Sequence, residues 1–364
     1  MQRCLELAVR GAGFVSPNPL VGCVIVDDEG ELLGEGFHRM FGGPHAEVED
    51  IQDAESRGRA GRLKNSTLYV NLEPCSHHGK TPPCADLIIE KGIPHVVVAM
   101  EDPNPNVSGS GIVRLRNAGV EVRVGVLQKD ARRLNEAFIH HIATGRPLVT
   151  LKIARTLDGK VADETGAPLS ISCRASQAQV HQWRSEMDAV MVGSGTALMD
   201  NPQLTVRHVQ GRQPYRIVLD RTGLLPETLQ LFTDSHASKT IAVTAPNTIP
   251  SYATSLEAKD GHILNAPLQN DHLDLKAVFE LIGSGDHLEK PIQSILVEAG
   301  PRLATALLEQ DLVDRLFVFT APRLLGRGTP AFNAWSPENP ISFTDVQWEN
   351  VGDDILFKGY LRNV

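Results

Sequence analysis

Four residues carry the chemistry most legible in this chain: His45, Glu47, Cys75 and Cys84. One imidazole and two thiolates are donors that zinc takes in a tetrahedron, and a catalytic site leaves the fourth position to water. Glu47 stands two residues after the histidine in His45-Ala46-Glu47, where a carboxylate can move a proton of that water. Zinc lowers the pKa of such a water from about 15.7 to about 7, so hydrolysis at neutral pH is the chemistry this set supports. A structural zinc site takes four protein ligands instead, and His77 or His78 is available as a fourth. Two features favour the catalytic reading: the His-Ala-Glu spacing at a helix start, and a strand that runs straight into Glu73-Pro74-Cys75.

These residues need a scaffold. Residues 5–11 begin as a helix. Residues 20–26 (LVGCVIV) form an apolar, β-branched run that reads as a buried strand. Residues 32–37 pair with it across the turn-type segment 27–30. Pro44 opens a helix over 45–59, since proline is tolerated at a helix start. Strands at 67–72, 95–100 and 121–126 alternate with helices at 85–91, 112–117 and 129–142. The alternation predicts a mostly parallel sheet with helices on its faces. The helix beginning at His45 presents partial positive charge, which favours a nearby thiolate.

Gly145-Arg146-Pro147 reads as a boundary, giving domains 1–145 and 146–364. Beyond it, strands are expected at 148–154, 189–192, 215–219, 240–243, 294–298 and 315–320, with a β-hairpin over 342–361. Helices are expected at 176–185, 275–282 and 303–309. Residues 246–274 are polar and proline-broken and read as loop-rich. No Gly-x-Gly-x-x-Gly opens a βαβ unit; Gly193-Ser194-Gly195 supplies only two glycines. A better anion seat is Glu298-Ala299-Gly300-Pro301, where a strand turns into a helix whose free N–H groups and dipole can face a phosphate. The same segment also reads as a tight turn without a ligand.

The bulk composition narrows the class. A chain of 364 residues favours two domains, and 41% hydrophobic residues suit a folded protein. A formal charge of −9 argues against a general nucleic-acid or membrane-surface binder, since both need basic patches. No apolar run is long enough to span a bilayer, and the N-terminal residues lack a signal-peptide core. The cysteines at 4, 23, 75, 84 and 173 are odd in number and irregular in spacing. They suit a reducing cytoplasm better than a disulfide framework.

At the motifs above the chain resembles a known family, the bifunctional riboflavin-biosynthesis deaminase–reductases. The zinc deaminases of bases share the His-x-Glu and Pro-Cys logic, with the glutamate as proton shuttle and not ligand. Ordinary members close with Cys-x-x-Cys, whereas eight residues separate Cys75 from Cys84. That long segment, Pro17-Asn18-Pro19-Leu20-Val21-Gly22, Gly34-Glu35-Gly36-Phe37-His38 and Asp102-Pro103-Asn104-Pro105 carry the resemblance. It implies an α/β protein, with a cytidine-deaminase-like three-layer domain followed by a dihydrofolate-reductase-like domain. It implies one zinc per chain on His45, Cys75 and Cys84, with Glu47 catalytic. The implied substrate is a diaminopyrimidine carrying a ribose 5-phosphate, which loses its 2-amino group before the ribosyl chain is reduced to ribityl. Asn18 is then suited to the ring, Lys80 to the phosphate, and His38, His77, Asp102 and Asn104 to sugar hydroxyls or phosphate. Asn18 and Asn104 read equally as turn residues, His38 as a half-buried strand residue and Lys80 as a solvated one.

In the second half, Leu151-Lys152-Ile153-Ala154, Leu157-Asp158-Gly159, the stretch from Asp200 to Arg207, and Glu298-Ala299-Gly300-Pro301 match the family's reductase half. The resemblance implies an NADPH site lined by Ala154, Ser170, Thr196, Asp200 and Gly300, with Arg221 on the 2′-phosphate. It implies substrate contacts from Lys152, Asp158, Arg184, Leu204, Arg207 and Glu298. Arg184 and Arg221 read as readily as solvated surface residues, and Asp158-Gly159 as a hairpin turn. One stretch departs from the pattern: Pro168 and Ser170 stand where the family carries serine and tryptophan. That departure raises an alternative, a deaminase whose second domain binds substrate without reducing it. A homo-oligomer, dimer or tetramer, is also implied, with no nucleic-acid or membrane partner.

Overall fold

The computed structural model describes residues 1–77, 82–105, 107–165, 169–333, 337 and 340–361. The chain divides into two units, Met1–Thr144 and Gly145–Asn363.

In the first unit five strands run in the order Leu32–Phe37, Gly22–Asp27, Ser66–Val70, His95–Val98, Glu121–Val124. Gly22–Asp27 is antiparallel to both of its neighbours, and the sheet is parallel from Ser66–Val70 onward. The expected parallel character therefore covers only half the sheet, because a hairpin joined by a short turn must reverse direction. Cys23, Ile25, Leu68, Val70, Val96 and Val98 bury one sheet face against Ile51, Ala54, Ile88, Ile112 and Leu115 of the helices. Helix Ala46–Ser56 lies on strand Leu32–Phe37 because that strand carries glycines. A Cβ on Gly34 would stand 2.6 Å from Asp50 Oδ1, and one on Gly36 2.6 Å from the Ala46 carbonyl oxygen. That close approach brings the helix start, and so His45 and Glu47, over the sheet.

The helix expected over 129–142 is two helices, Gln128–Leu134 and Glu136–Thr144. The break falls at Asn135. Its amide accepts from Leu20 N at 2.7 Å and donates to Leu20 O at 3.0 Å. A tertiary clasp of this kind leaves no trace in helical periodicity.

The second unit has a sheet in the order His262–Asn265, Thr240–Thr244, Tyr215–Leu219, Ala189–Gly193, Ser294–Glu298, Leu148–Thr156, Arg315–Ala321, Asp354–Tyr360, Thr344–Val351. The first seven are parallel, and the closing hairpin is antiparallel. Side chains alternate between two cores, as a period of two requires. Met191, Ile217, Ile241 and Ile295 face one core, and Val190, Val218, Ala242 and Leu296 the other. Strand His262–Asn265 lies within the stretch expected to be loop-rich. It is an edge strand whose buried residue is Leu264, so its polar ends conceal the strand pattern. Among the described residues no helix is long and apolar enough to cross a membrane.

Candidate active sites

His45 is the N-cap of helix Ala46–Ser56, and Cys84 opens helix Cys84–Glu90. Their elements converge on the loop that follows strand Ser66–Val70. His45 Nδ1 lies 3.3 Å from Cys84 Sγ and 3.6 Å from Cys75 Sγ. The three ligand atoms all lie within 4.8 Å of one another. A tetrahedral zinc with N and S donors implies N···S edges of about 3.6 Å and an S···S edge of about 3.8 Å, so the donor set fits that ion. Cys84 N donates to Cys75 Sγ at 3.2 Å. The Cys84 thiol, with the His45 imidazole beside it, draws the Cys75 pKa down to about 4, as a ligand thiolate requires. Cys75 and burial push the Cys84 thiol up in return. Glu47 is buried at the same helix start, and burial lifts its carboxyl to about 7, with the Cys75 charge adding to the shift.

Three carboxamides and carboxylates absent from the sequence-based expectations hold this site in place. The Glu73 carboxylate accepts from Asp102 N at 3.0 Å, Gly109 N at 2.9 Å, Gly111 N at 2.8 Å and Ile112 N at 3.2 Å. It therefore ties the cysteine loop to the Asp102 loop and to the start of helix Ser110–Asn117. Gly111 belongs to that joint, because a Cβ there would run into the Pro74 carbonyl oxygen. Asn71 and Asn135 clasp the backbone around Leu20, with Asn71 Oδ1 accepting from Gly22 N at 2.7 Å. The Glu-Pro-Cys motif points toward Glu73; no local signal points to the two asparagines.

His38 is buried and orients its neighbours. It donates from Nδ1 to Pro44 O at 2.8 Å, which leaves Nε2 to accept from Asn18 Nδ2 at 3.1 Å. Its ring meets His45 edge-on at 5.6 Å. Burial lowers its pKa, consistent with this neutral tautomer. Asp102 is half-buried and accepts from Asn104 N at 2.8 Å, and His77 is exposed. Lys80 lies outside the described residues, as do His78 and Pro168.

In the second unit the expected residues gather at the carboxyl ends of parallel strands, where open α/β sheets bind ligands. Glu298 ends strand Ser294–Glu298 and pairs in register with Lys152. Arg184, buried on helix Arg174–Glu186, grips Glu298 with two nitrogens, Nε at 2.6 Å and Nη2 at 3.0 Å. Its third nitrogen donates to Thr205 O at 3.0 Å. Arg184 and Lys152 hold the Glu298 carboxyl down at about 2 against its burial. Leu204 is buried with a φ of 54°, and Arg207 is exposed beside it.

Gly300 caps helix Pro301–Glu309 without a side-chain cap bond of its own, and proline stands at the helix start. Thr196 adjoins it: a Cβ on Gly300 would stand 3.2 Å from Thr196 Oγ1. This cradle fits a dinucleotide phosphate. Ala154 is in strand Leu148–Thr156, and Asp200 is exposed at the end of helix Ser194–Asp200. Arg221, two residues past strand Tyr215–Leu219, pairs with exposed Asp271 at 2.8 Å. Ser170 accepts from Gln177 Nε2 at 3.0 Å, and its carbonyl accepts from Arg323. Asp158 follows strand Leu148–Thr156 by two residues. The Thr156 hydroxyl and the Gly326 and Leu325 amides bind its carboxylate and hold its pKa at about 2.

Comparison with known proteins follows the same two halves. Residues 1–100 match the cytidine and deoxycytidylate deaminase zinc-binding region, and residues 147–357 match the RibD C-terminal domain. The riboflavin biosynthesis protein RibD of Aquifex aeolicus is 41% identical, over 99% of this chain and 98% of the relative. Its namesake in Escherichia coli is 39% identical over 98% and 96%. Among solved structures, Acinetobacter baumannii RibD superposes with a TM-score of 0.86 at 35% identity, covering 99% of this chain and 97% of that one. A diaminohydroxyphosphoribosylaminopyrimidine deaminase/5-amino-6-(5-phosphoribosylamino)uracil reductase of Thermotoga maritima gives 0.85 at 38% identity, with the same coverage.

Proposed function

We propose a residue-by-residue division of labour from one premise: this chain belongs to the RibD family of bifunctional riboflavin-biosynthesis deaminase–reductases. The protein is a two-activity enzyme of riboflavin biosynthesis acting on a small phosphorylated pyrimidine. It hydrolyses the 2-amino group from 2,5-diamino-6-(5-phosphoribosylamino)pyrimidin-4(3H)-one and then reduces the ribosyl side chain with NADPH. The observation that carries the first half is the three-donor cluster of His45, Cys75 and Cys84 with Glu47 buried beside it.

Zinc on those three donors supplies an acidified water and a Lewis acid. Glu47 takes one proton from the attacking water and hands it to the ring nitrogen, then takes the remaining hydroxyl proton and delivers it to the departing amine as the ring carbonyl forms. Asn18, oriented through its amide nitrogen by His38, turns its carbonyl oxygen to the ring. His77, Asp102 and Asn104 receive sugar hydroxyls or phosphate, with Lys80 as the counter-charge of the phosphate.

When bound in the second site, NADPH would supply a hydride for the sugar carbon. Ala154, Ser170, Thr196, Asp200 and Gly300 line the cofactor, and Arg221 takes its 2′-phosphate by exchanging its exposed partner Asp271. Lys152, Leu204 and Arg207 hold the substrate, while Glu298 and Arg184 form the charged floor beneath it. The Asp158 carboxylate orients the ribosyl chain from the 325–326 loop to which it is bound.

We infer further that the enzyme is a cytoplasmic homo-oligomer. All five cysteines are free. The sheet of the second unit ends in an edge strand, Thr344–Val351, with Trp348 67% exposed on it. Light scattering in solution reads the mass directly, and a monomer would refute this part. The central test follows ammonia and NADPH together, with zinc-loaded protein and the diaminopyrimidine ribosyl phosphate. Ammonia release followed by product-dependent NADPH loss supports both halves. Ammonia without NADPH loss refutes the second assignment, and no ammonia refutes the first.

A further inference from the structure

His181 belongs to none of the roles above, yet it sits against them. It lies on helix Arg174–Glu186 three residues before Arg184, so both side chains leave one face of that helix. It is 4% exposed. Its Nδ1 accepts the backbone N–H of Arg207 at 3.1 Å. The His208 ring meets its ring edge-on at 4.4 Å.

The segment it touches has no regular structure and needs external support. Leu204 adopts a left-handed φ of 54° while buried, a conformation that a branched side chain rarely takes. Side chains from neighbouring elements brace that segment, among them Arg216, which donates to Gln203 O at 3.0 Å. Arg184 donates to Thr205 O, Gln213 bonds Val206 N and O at 2.8 and 2.9 Å, and His181 takes Arg207 N. Of these, His181 alone binds the backbone of Arg207, whose exposed guanidinium donates to Gln203 Oε1 at 2.5 Å and to Thr205 Oγ1 at 3.2 Å.

We propose that His181 is a positioning residue of the reductase site: by accepting the Arg207 amide it fixes the guanidinium that receives the substrate phosphate. Nδ1 can accept only while that nitrogen carries no proton. The groups facing the ring are Arg184 on its own helix, Arg207 and His208 on the braced segment, and Glu298 at the strand end. Burial, then the positive charge of Arg184, His208 and Arg207, holds the imidazole pKa at about 4, with Glu298 opposing. The acceptor is therefore present throughout the neutral range. The inference rests on the assignment of Arg207 to substrate.

The test compares His181→Leu, His181→Asn and Arg207→Leu in the full-length protein with the deaminated ribosylamino-uracil phosphate and NADPH. Leucine fills the space without an acceptor, while the asparagine oxygen can take the place of Nδ1. The expected result for His181→Leu is a KM for the phosphorylated substrate raised on the order of tenfold, kcat within about twofold, and an unchanged KM for NADPH. His181→Asn should recover most of that loss. An unchanged substrate KM in His181→Leu while Arg207→Leu raises it overturns the role of His181 alone. A KM unchanged in Arg207→Leu overturns the assignment beneath it. Equal losses in kcat and both KM values, in leucine and asparagine variants alike and with a lower Tm, overturn the proposal in favour of simple packing.

Discussion

The two sites of this enzyme are built in opposite ways. The deaminase centre draws its donors from one helix cap, one loop and one helix start, so its chemistry rests on a few atoms that must meet within 4.8 Å. The reductase site is a row of backbone turns and charged side chains along the carboxyl ends of parallel strands, gathered from residues 152 to 300. A site that makes a nucleophile depends on particular functional groups. A site that holds two molecules for hydride transfer depends on shape and charge. The first should therefore fail completely on a single substitution, and the second by degrees.

The sharpest way to break that contrast is Cys84→Ala. Zinc content should fall and ammonia release drop to background, while NADPH oxidation of supplied deaminated intermediate continues; metal analysis and the split assay read both. Glu47→Gln should retain zinc yet lower ammonia release by about 10²–10⁴-fold, and full activity in this variant would return the centre to a structural role.

Glu298→Gln tests the graded site. It leaves Arg184 with little solvent, since the paired side chains are only 10% and 16% exposed. Losing one partner of such a pair costs about 3–5 kcal/mol. The second unit should unfold at lower temperature and NADPH oxidation should decline, with ammonia release preserved. Scanning calorimetry with both assays separates the units.

Acid should weaken the second unit in two windows. The His181 imidazole has a folded pKa of about 4 against roughly 6.5 when unfolded. The unfolded chain takes up that proton first, so stability drains as pH falls from about 6.5 to 4. The Glu298 carboxyl, held at about 2, contributes stability that is complete above roughly 4.3 and is lost as pH falls toward 2. Thermal midpoints across pH should fall in both windows, and His181→Leu should flatten the upper one. The smallest effect expected is in Arg221→Ala. The exposed Asp271 pair contributes under about 1 kcal/mol to stability, but the preference for NADPH over NADH should narrow roughly tenfold.

The same contrast accounts for which features are legible in the amino-acid sequence. His45, Glu47, Cys75 and Cys84 declare themselves because few residue types bind zinc and their order along the chain is restrictive. The strands of the second unit are legible because a sheet buried on both faces needs continuous apolar runs such as LVTLKIA. Strand His262–Asn265 is hidden because an edge strand needs little burial. The break at Asn135 is hidden because its cause, Leu20, lies 115 residues away.

Residue types and spacing alone determined the metal, the hydrolytic chemistry and the alternating α/β architecture, because donor chemistry and side-chain periodicity are local properties. Only the tertiary structure decided that Glu73 joins two loops to a helix start, that Arg184 is buried on Glu298, and that His181 holds Arg207. Each of these is a hydrogen bond between residues 26 or more positions apart. No local pattern encodes such a partner. It exists only once burial removes water and leaves each polar group to find its match within the fold.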